Sequence, residues 1–513
     1  GTNVFKTFEA VDLTGHRLDP KATPQVALYD DGVGTEDFKP LKLIAGITGF
    51  GLGRNVRQLY KELVRIYDEG DEIYVFGFSR GAFTVRTLVG LIAQCGIIDE
   101  SKLEERTAEC LDAAVTKAYR VLRQSFRTRI SRLFGRRKKD GSAEFRRKYS
   151  RDHEVRIRFV GVWDTVDAVG MPFHLSDILN TTFYRFKFPD YELSPIVDRA
   201  CHALALDDER HSFTPLLWDE HREKNGRIEQ AWFAGAHSNV GGGYPKQGMA
   251  LGALDWMLAE ASRAGSELGG EGLRLNPGDR EHIRTHANAD DKLYDPRAGV
   301  GVFYRWKIRD VETLCREKGV APKVHLSVLE RAAHGTEGYA PGNLPRAAQV
   351  VYTKCDAPGD EGLLRKRAAN VQAVLDKACA NEQQLLARHA GWIRLGLVSY
   401  YVYLISCTAV LLAAAGGDVV SAFADPSRTL SDVGHLIGEM ILQPAKTIWS
   451  MARKLWDEPS LLVCLGGGFL IAYLLAWATD RALSRAFSGW WYALQPGMRK
   501  ALKDARKDRS RAP

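Results

Sequence analysis

No two cysteines in this 513-residue chain stand in a C-x-x-C spacing, and only 8 cysteines occur at all. That excludes a disulfide scaffold and a zinc ribbon, and it suits a reducing compartment. A large excess of one charge is also lacking. The 71 Lys and Arg against 63 Asp and Glu leave a net +8, too mild over this length to argue for nucleic acid. With 45% hydrophobic and 26% charged residues, the chain is neither disordered nor fibrous. Gly1 rather than Met stands first, and no charged-then-apolar leader follows. The expectation is a chain without a signal peptide whose natural start is missing.

What is present divides the chain unevenly. From residue 1 to about 345, short apolar runs alternate with helical periodicity and glycine-rich turns. This is the pattern of an α/β domain with a mostly parallel sheet and helices on both faces. Strands are expected at 25–29, 72–76, 156–163 and 228–233, and helices at 56–67, 82–93 and 248–264. Leu363, Leu364, Val371, Leu375, Leu385 and Leu386 recur with helical spacing among charges, which predicts a connecting helix. The expected domains are 1–350, with a basic insertion at about 101–153, then a connector over 351–391 and a third region over 392–513.

That third region reads as an all-α membrane hairpin. Residues 395–415 (LGLVSYYVYLISCTAVLLAAA) and 461–479 (LLVCLGGGFLIAYLLAWAT) carry no charge and are long enough to cross a bilayer as helices. Trp392, Trp456, Trp477, Trp490 and Trp491 fall where an interfacial belt would lie. The alternative is a pair of buried core helices, which Gly466, Gly467 and Gly468 keep open. Nine basic and three acidic residues follow the second run, against four basic and six acidic between the runs. An integral membrane protein with both ends in the cytoplasm is therefore expected. Separately, residues 120–148 hold twelve basic residues, with only Asp140 and Glu144 as acids. This reads as a solvated helical insertion, the alternative being a patch drawn to anionic phospholipid headgroups. No nucleic-acid-binding module accompanies it, so no nucleic acid is expected as a partner.

The strongest local signal is DEIYVFGFSRGAFTVRTLVGLIA, residues 71–93. An apolar strand runs into Gly77-Phe78-Ser79-Arg80-Gly81 and a helical pattern begins at once. This is G-x-S-x-G in the strand-turn-helix setting that exposes a nucleophilic hydroxyl. A serine nucleophile needs a base, and the base needs an orienting acid, in the chain order Ser, Asp or Glu, His. Asp164 follows the expected strand ending at Trp163, and His237 follows the one ending at Phe233. Competing acids are Asp167, Asp207 and Asp208, and competing bases are His202 and His211. The backbone N–H of Arg80 is the first expected oxyanion donor. Gly32, Val33 and Gly34, in a glycine-containing loop, supply the second. The glycine run 241–243 lacks the P-loop lysine and the Rossmann spacing, and reads as a turn.

Together, GFSRGA at 77–82, YDDGVGT at 29–35, GVWDTVDAVG at 161–170, GAHSNVGGGY at 235–244 and VHLSVLERAAHGTEGYAPGNLP at 324–345 resemble the α/β-hydrolase domain of the type VI secretion lipase effectors. The resemblance implies a triad of Ser79, Asp164 and His237, a phospholipid substrate class, and no metal or organic cofactor. It implies as partners the phospholipid bilayer, a type VI secretion component and an immunity protein. It further implies a phospholipase A-type toxin delivered to a target-cell envelope. Two departures stand out. The apolar strand and Asp-Gly-Thr turn that usually open the family are not found before Thr2-Asn3-Val4, and the core motifs do not predict the C-terminal region. A membrane-tethered interaction protein without activity and an esterase of soluble esters remain the alternatives.

Overall fold

The computed structural model describes residues 1–31, 50–125, 141–166, 191–223, 225–299, 302, 304–345, 347–354, 358–379, 385–415 and 459–507. They form two compact units. The first comprises 1–304, 308–384 and 490–513, and the second 305–307 and 385–489.

The first unit is built on a six-stranded, all-parallel sheet in the order β1 to β6. Its strands are β1 (Ile73–Phe78), β2 (Ile157–Trp163), β3 (Val197–Ala205), β4 (Ile228–Phe233), β5 (Lys323–His325) and β6 (Gln349–Val351). The central strands β2, β3 and β4 are almost wholly buried, as expected for a parallel sheet covered on both faces. Period-two alternation along β2 sends Val160 and Val162 to one face, and Phe159 and Trp163 to the other.

On the first face lie α2 (Phe50–Ile66), α3 (Arg80–Cys95) and α4 (Ala108–Ser125), which bury Tyr60, Leu91, Ile92 and Ala118. On the second lies α7 (Gly248–Glu267) with Leu254, Trp256, Met257 and Ala261, joined by Ala10 of α1 (Asn3–Ala10). The remaining helices of the first unit include α5 (Ser142–Tyr149), α6 (His237–Gly241), α8 (Pro277–His286), α9 (Val311–Glu317), α10 (Leu326–His334) and α11 (Pro358–Cys379). Gly161 is required where α7 crosses β2, because a Cβ there would stand 2.7 Å from Phe76 and 2.9 Å from the Met257 sulfur.

Two expectations are corrected, and one unexpected strand is added. Residues 25–29 form no strand. The Gln25 side chain instead bonds backbone groups of Asp12 and Arg274, which fixes an extended segment outside any ladder. β3 carries no strand signal that the sequence reading caught, yet it lies at the centre of the sheet. The second correction is the membrane hairpin. Among the described residues no helix is long and apolar enough to cross a membrane.

The apolar runs belong to α12 (Ala390–Ala415) and α13 (Pro459–Lys507). Within the second unit their described residues pack on each other through polar and small groups. Ser399 Oγ donates to the Ala472 carbonyl at 2.7 Å, Gly396 abuts Trp306 and Thr479, and Gly468 abuts Ser406. A charge-free run satisfies helix pairing as well as it satisfies lipid. The integral membrane assignment, and the cytoplasmic orientation built on it, are thereby overturned. The end of α13 belongs to the first unit, where Trp491, Met498 and Leu502 enter the cluster around Trp232, Leu329 and Val371. Residues 126–140, the centre of the basic run, lie outside the described residues.

Candidate active site

In a parallel sheet every strand delivers its carboxyl end to the same edge, so residues just past β1, β2, β3 and β4 meet there. Phe78 is in register with Trp163, Trp163 with Ala203, and Ala205 with Phe233. Ser79 and Asp164 are therefore each one residue beyond a paired position on adjacent strands. Neighbouring strands lie about 4.8 Å apart. The ladder continues past the strands: Ser79 N donates to the Trp163 carbonyl at 3.1 Å, and Asp164 N to the Ala203 carbonyl at 2.8 Å.

Ser79 has φ 59° and ψ −125°, and α3 starts at the next residue. Asp164 has φ 35°. Non-glycine residues held at such angles cost about 1–3 kcal/mol each and concentrate at functional sites. Gly77 lets the turn close, since a Cβ there would lie 2.7 Å from the Ala82 Cα and the Gly81 carbonyl oxygen. Gly81 faces open space, so the second glycine of the motif is not needed to relieve a clash. The Arg80 backbone N–H belongs to the first turn of α3, where N–H groups have no intrahelical acceptor and the helix favours negative charge. Gly32, Val33 and Gly34 lie outside the described residues.

His237 opens α6 and is 95% buried. Its Nδ1 lies 2.6 Å from Asp164 Oδ2, while Nε2 is buried and unpartnered among the described residues. The imidazole is held between two rings, Phe78 at 4.5 Å and Phe213 at 5.0 Å between centroids. Phe78 immediately precedes Ser79, so the open nitrogen belongs to an imidazole packed against the serine turn.

Asp164 is fully buried and both carboxylate oxygens are used. Oδ1 accepts from Ala205 N at 3.0 Å and Arg309 Nη1 at 2.8 Å; Oδ2 accepts from His237 Nδ1 and from Arg309 Nη2 at 2.9 Å. Burial disfavours its charge, but the Arg309 guanidinium and the His237 hydrogen bond outweigh burial and hold the carboxyl far below its ordinary value. Arg309 went unnoticed in the sequence. It stands 145 residues beyond Asp164, with no motif around it. The only signal was its closeness to the 324–345 motif, whose Asn343 amide donates to the carbonyls of Leu206 and Arg309.

The competing residues have different work. Asp208 is fully buried, is bound by Arg210, and accepts from the His237 backbone N–H at 3.1 Å rather than from its ring. Asp207 accepts from Gly235 N at 2.6 Å and from the Tyr339 hydroxyl at 2.8 Å; burial pushes it up to about 6, against those two donors. His202 sits in β3 beneath the Asp164 turn, its Nε2 accepting from Thr165 N at 3.1 Å. Burial, then the charge of Arg86, push its pKa down to about 3. It is a neutral structural group. His211 lies on a short turn, 211–213, after β3. Asp167 lies outside the described residues. Among the described residues no cluster of three or more His, Cys, Asp or Glu is arranged to hold a metal ion.

A family model described as the catalytic domain of Tle1-like phospholipase effectors of the type VI secretion system matches residues 1–260. The chain belongs to this family. The match contains Ser79, Asp164 and His237 and ends before Arg309, Tyr339 and Asn343. An uncharacterized protein of Saccharomyces cerevisiae is 27% identical over 231 residues, which cover 42% of this chain and 30% of that protein. A solved structure titled as the Tle1 effector bound to the VgrG spike of the type VI secretion system is 17% identical. It covers 48% of this chain and 41% of its own, with a TM-score of 0.24. A crystal structure of an uncharacterized Pseudomonas aeruginosa protein is 18% identical, covering 70% of this chain and 44% of its own, with a TM-score of 0.22. The chain thus spans less than half the length of each of these relatives.

Proposed function

We propose that this chain is a serine-dependent phospholipase of type A. In this reading Ser79 is the nucleophile, His237 the base and then the acid, and Asp164 the residue that orients the imidazole. Membership of the phospholipase effector family supports the reaction class. The observation that carries the residue assignment is the 2.6 Å His237–Asp164 contact, set beside a strained strand-to-helix serine with Nε2 left open.

His237 Nε2 takes the Ser79 proton as Oγ attacks the ester carbonyl carbon, and Asp164 accepts from Nδ1 and stabilises the imidazolium that forms. The oxyanion meets the Arg80 N–H at the head of α3, with Gly32–Gly34 as the source of the second donor. Collapse expels the lysophospholipid alcohol, which regains its proton from His237. Water activated by the same nitrogen then releases the fatty acid and frees Ser79. Phe78 and Phe213 around the imidazole lower the local dielectric and strengthen these charge interactions.

The same reading places the protein as an effector exported by a type VI secretion system, with a component of that machine and an immunity protein as partners. The test is labelling by a fluorophosphonate probe followed by peptide mapping. Modification confined to Ser79 and absent in Ser79→Ala and His237→Ala supports the proposal. An unlabelled, folded wild-type protein refutes it.

A further inference from the structure

We infer that Arg309 is a positioning residue of the hydrolytic reaction, its guanidinium fork holding Asp164 ionised and in line with His237 Nδ1. The inference rests on the Ser79–His237–Asp164 reading and adds a fourth member that the family match, ending at residue 260, does not contain.

The geometry is specific to arginine. Arg309 is 96% buried and donates from both terminal nitrogens to both oxygens of one carboxylate, at 2.8 and 2.9 Å. A planar fork matches a carboxylate in this way, whereas a lysine ammonium presents a single point charge. Each nitrogen also has a second acceptor. Nη1 donates to the Ala205 carbonyl, and Nη2 donates at 2.6 Å to the carbonyl of Phe213, the residue whose ring covers His237. One side chain therefore fixes the acid, the end of β3 and the aromatic cover over the base. Asn343 holds the Arg309 backbone in turn.

The electrostatic consequence is separate from the mechanical one. Burial penalises a charged Asp164, and the Arg309 guanidinium offsets that penalty directly. Arg309 thereby keeps Asp164 an acceptor for His237 Nδ1. Among the described residues Asp164 and Asp208 bond His237, and Arg309 and Arg210 bond those two carboxylates in turn; Asp207 acts on Arg309, and the neutral His202 faces Asp164. Arg210 is bound by Asp208, and among the described residues Arg309 is the guanidinium bonded to the Asp164 carboxylate.

The experiment compares Arg309→Gln and Arg309→Lys with wild type in two readouts: Ser79 labelling by fluorophosphonate, and the pH profile of kcat/KM on a short fluorogenic ester. Arg309→Gln should lower kcat by about 10²–10³-fold with KM little changed. Its acid limb should move upward, because loss of the neighbouring cation favours the protonated Asp164 carboxyl. Arg309→Lys should recover part of the acid-limb position but less of kcat, since the charge returns without the fork. A folded Arg309→Gln within threefold of wild type and with an unmoved limb overturns the inference. Should both variants fail to fold, the wild-type protein decides. With the Asp164 carboxyl carbon isotopically labelled, its resonance should stay in the ionised position throughout the pH range in which the protein is folded. Protonation in the ordinary carboxylate range overturns the inference. Failure of the hydrolase reading is distinguishable, because it appears as an unlabelled Ser79 in wild type.

Discussion

Replacing Asp164 with asparagine separates the chemistry of this site from its packing. The substitution keeps the shape but exchanges an acceptor for an amide at the centre of four hydrogen bonds, from Ala205 N, His237 Nδ1 and both Arg309 terminal nitrogens. Loss of the charge removes the preference for the tautomer that leaves Nε2 basic. The corresponding change in a serine protease triad lowers kcat by about 10⁴, and a loss of about 10³–10⁴ in Ser79 labelling is expected here. A second effect follows from burial. Arg309 is 4% exposed, and breaking a buried ion pair on one side costs about 3–5 kcal/mol.

The pH dependence fixes the sign. Asp164 is held below its unfolded value, so its contribution is complete above roughly pH 4 and is lost as pH falls toward the folded value. The stability deficit of Asp164→Asn should therefore be largest at neutral pH and shrink in acid. Urea unfolding at several pH values reads the stability, and probe labelling reads the rate. Labelling within tenfold of wild type, or a deficit that grows on acidification, would refute the reasoning.

Other expectations follow from single contacts. Gly77→Ala should place a methyl 2.7 Å from the backbone of α3 and reduce both stability and Ser79 labelling, as read by thermal melts and the probe. Trp491→Ala should cost about 3–5 kcal/mol in urea unfolding, because the indole is 1% exposed and donates to the Pro341 carbonyl at 2.9 Å. A negligible change would show that the end of α13 does not belong to the first unit's core. His202 and His325 both have pKa values pushed down to about 3 by burial, so each binds protons more readily when unfolded. Stability should therefore fall as pH drops from about 6.5 toward 3, and His202→Gln should flatten that fall while leaving probe labelling in place. A curve of wild-type steepness in the variant would contradict this assignment.

The sequence made β1, β2, β4 and the helices α3 and α7 legible, because apolar runs there meet clear turn signals. β3 escaped notice because Asp198, Arg199 and His202 interrupt its apolar pattern. Those polar groups are satisfied inside the protein: Arg199 by Glu260, and His202 by Thr165 N. β5 and β6 are three residues each and depend on their neighbours rather than on local propensity. The serine turn, Asp164 and His237 were legible as strand-end residues, while their common edge comes from the register of the sheet. Arg309 was not legible, since a buried arginine is recognised by its acceptors, and these lie at Asp164, Ala205 and Phe213. The C-terminal runs misled because absence of charge records a dry environment without saying whether lipid or protein supplies it. Ser399 and Gly396 show protein doing so for described residues of α12.

The most direct test of the account is fatty acid release from phosphatidylethanolamine and phosphatidylglycerol vesicles, comparing the intact chain with Ser79→Ala. The account predicts release of a fatty acid and a lysophospholipid by the wild-type protein, and a loss of several orders of magnitude in the variant. Equal release by both proteins, or none from either when both are folded, would contradict it.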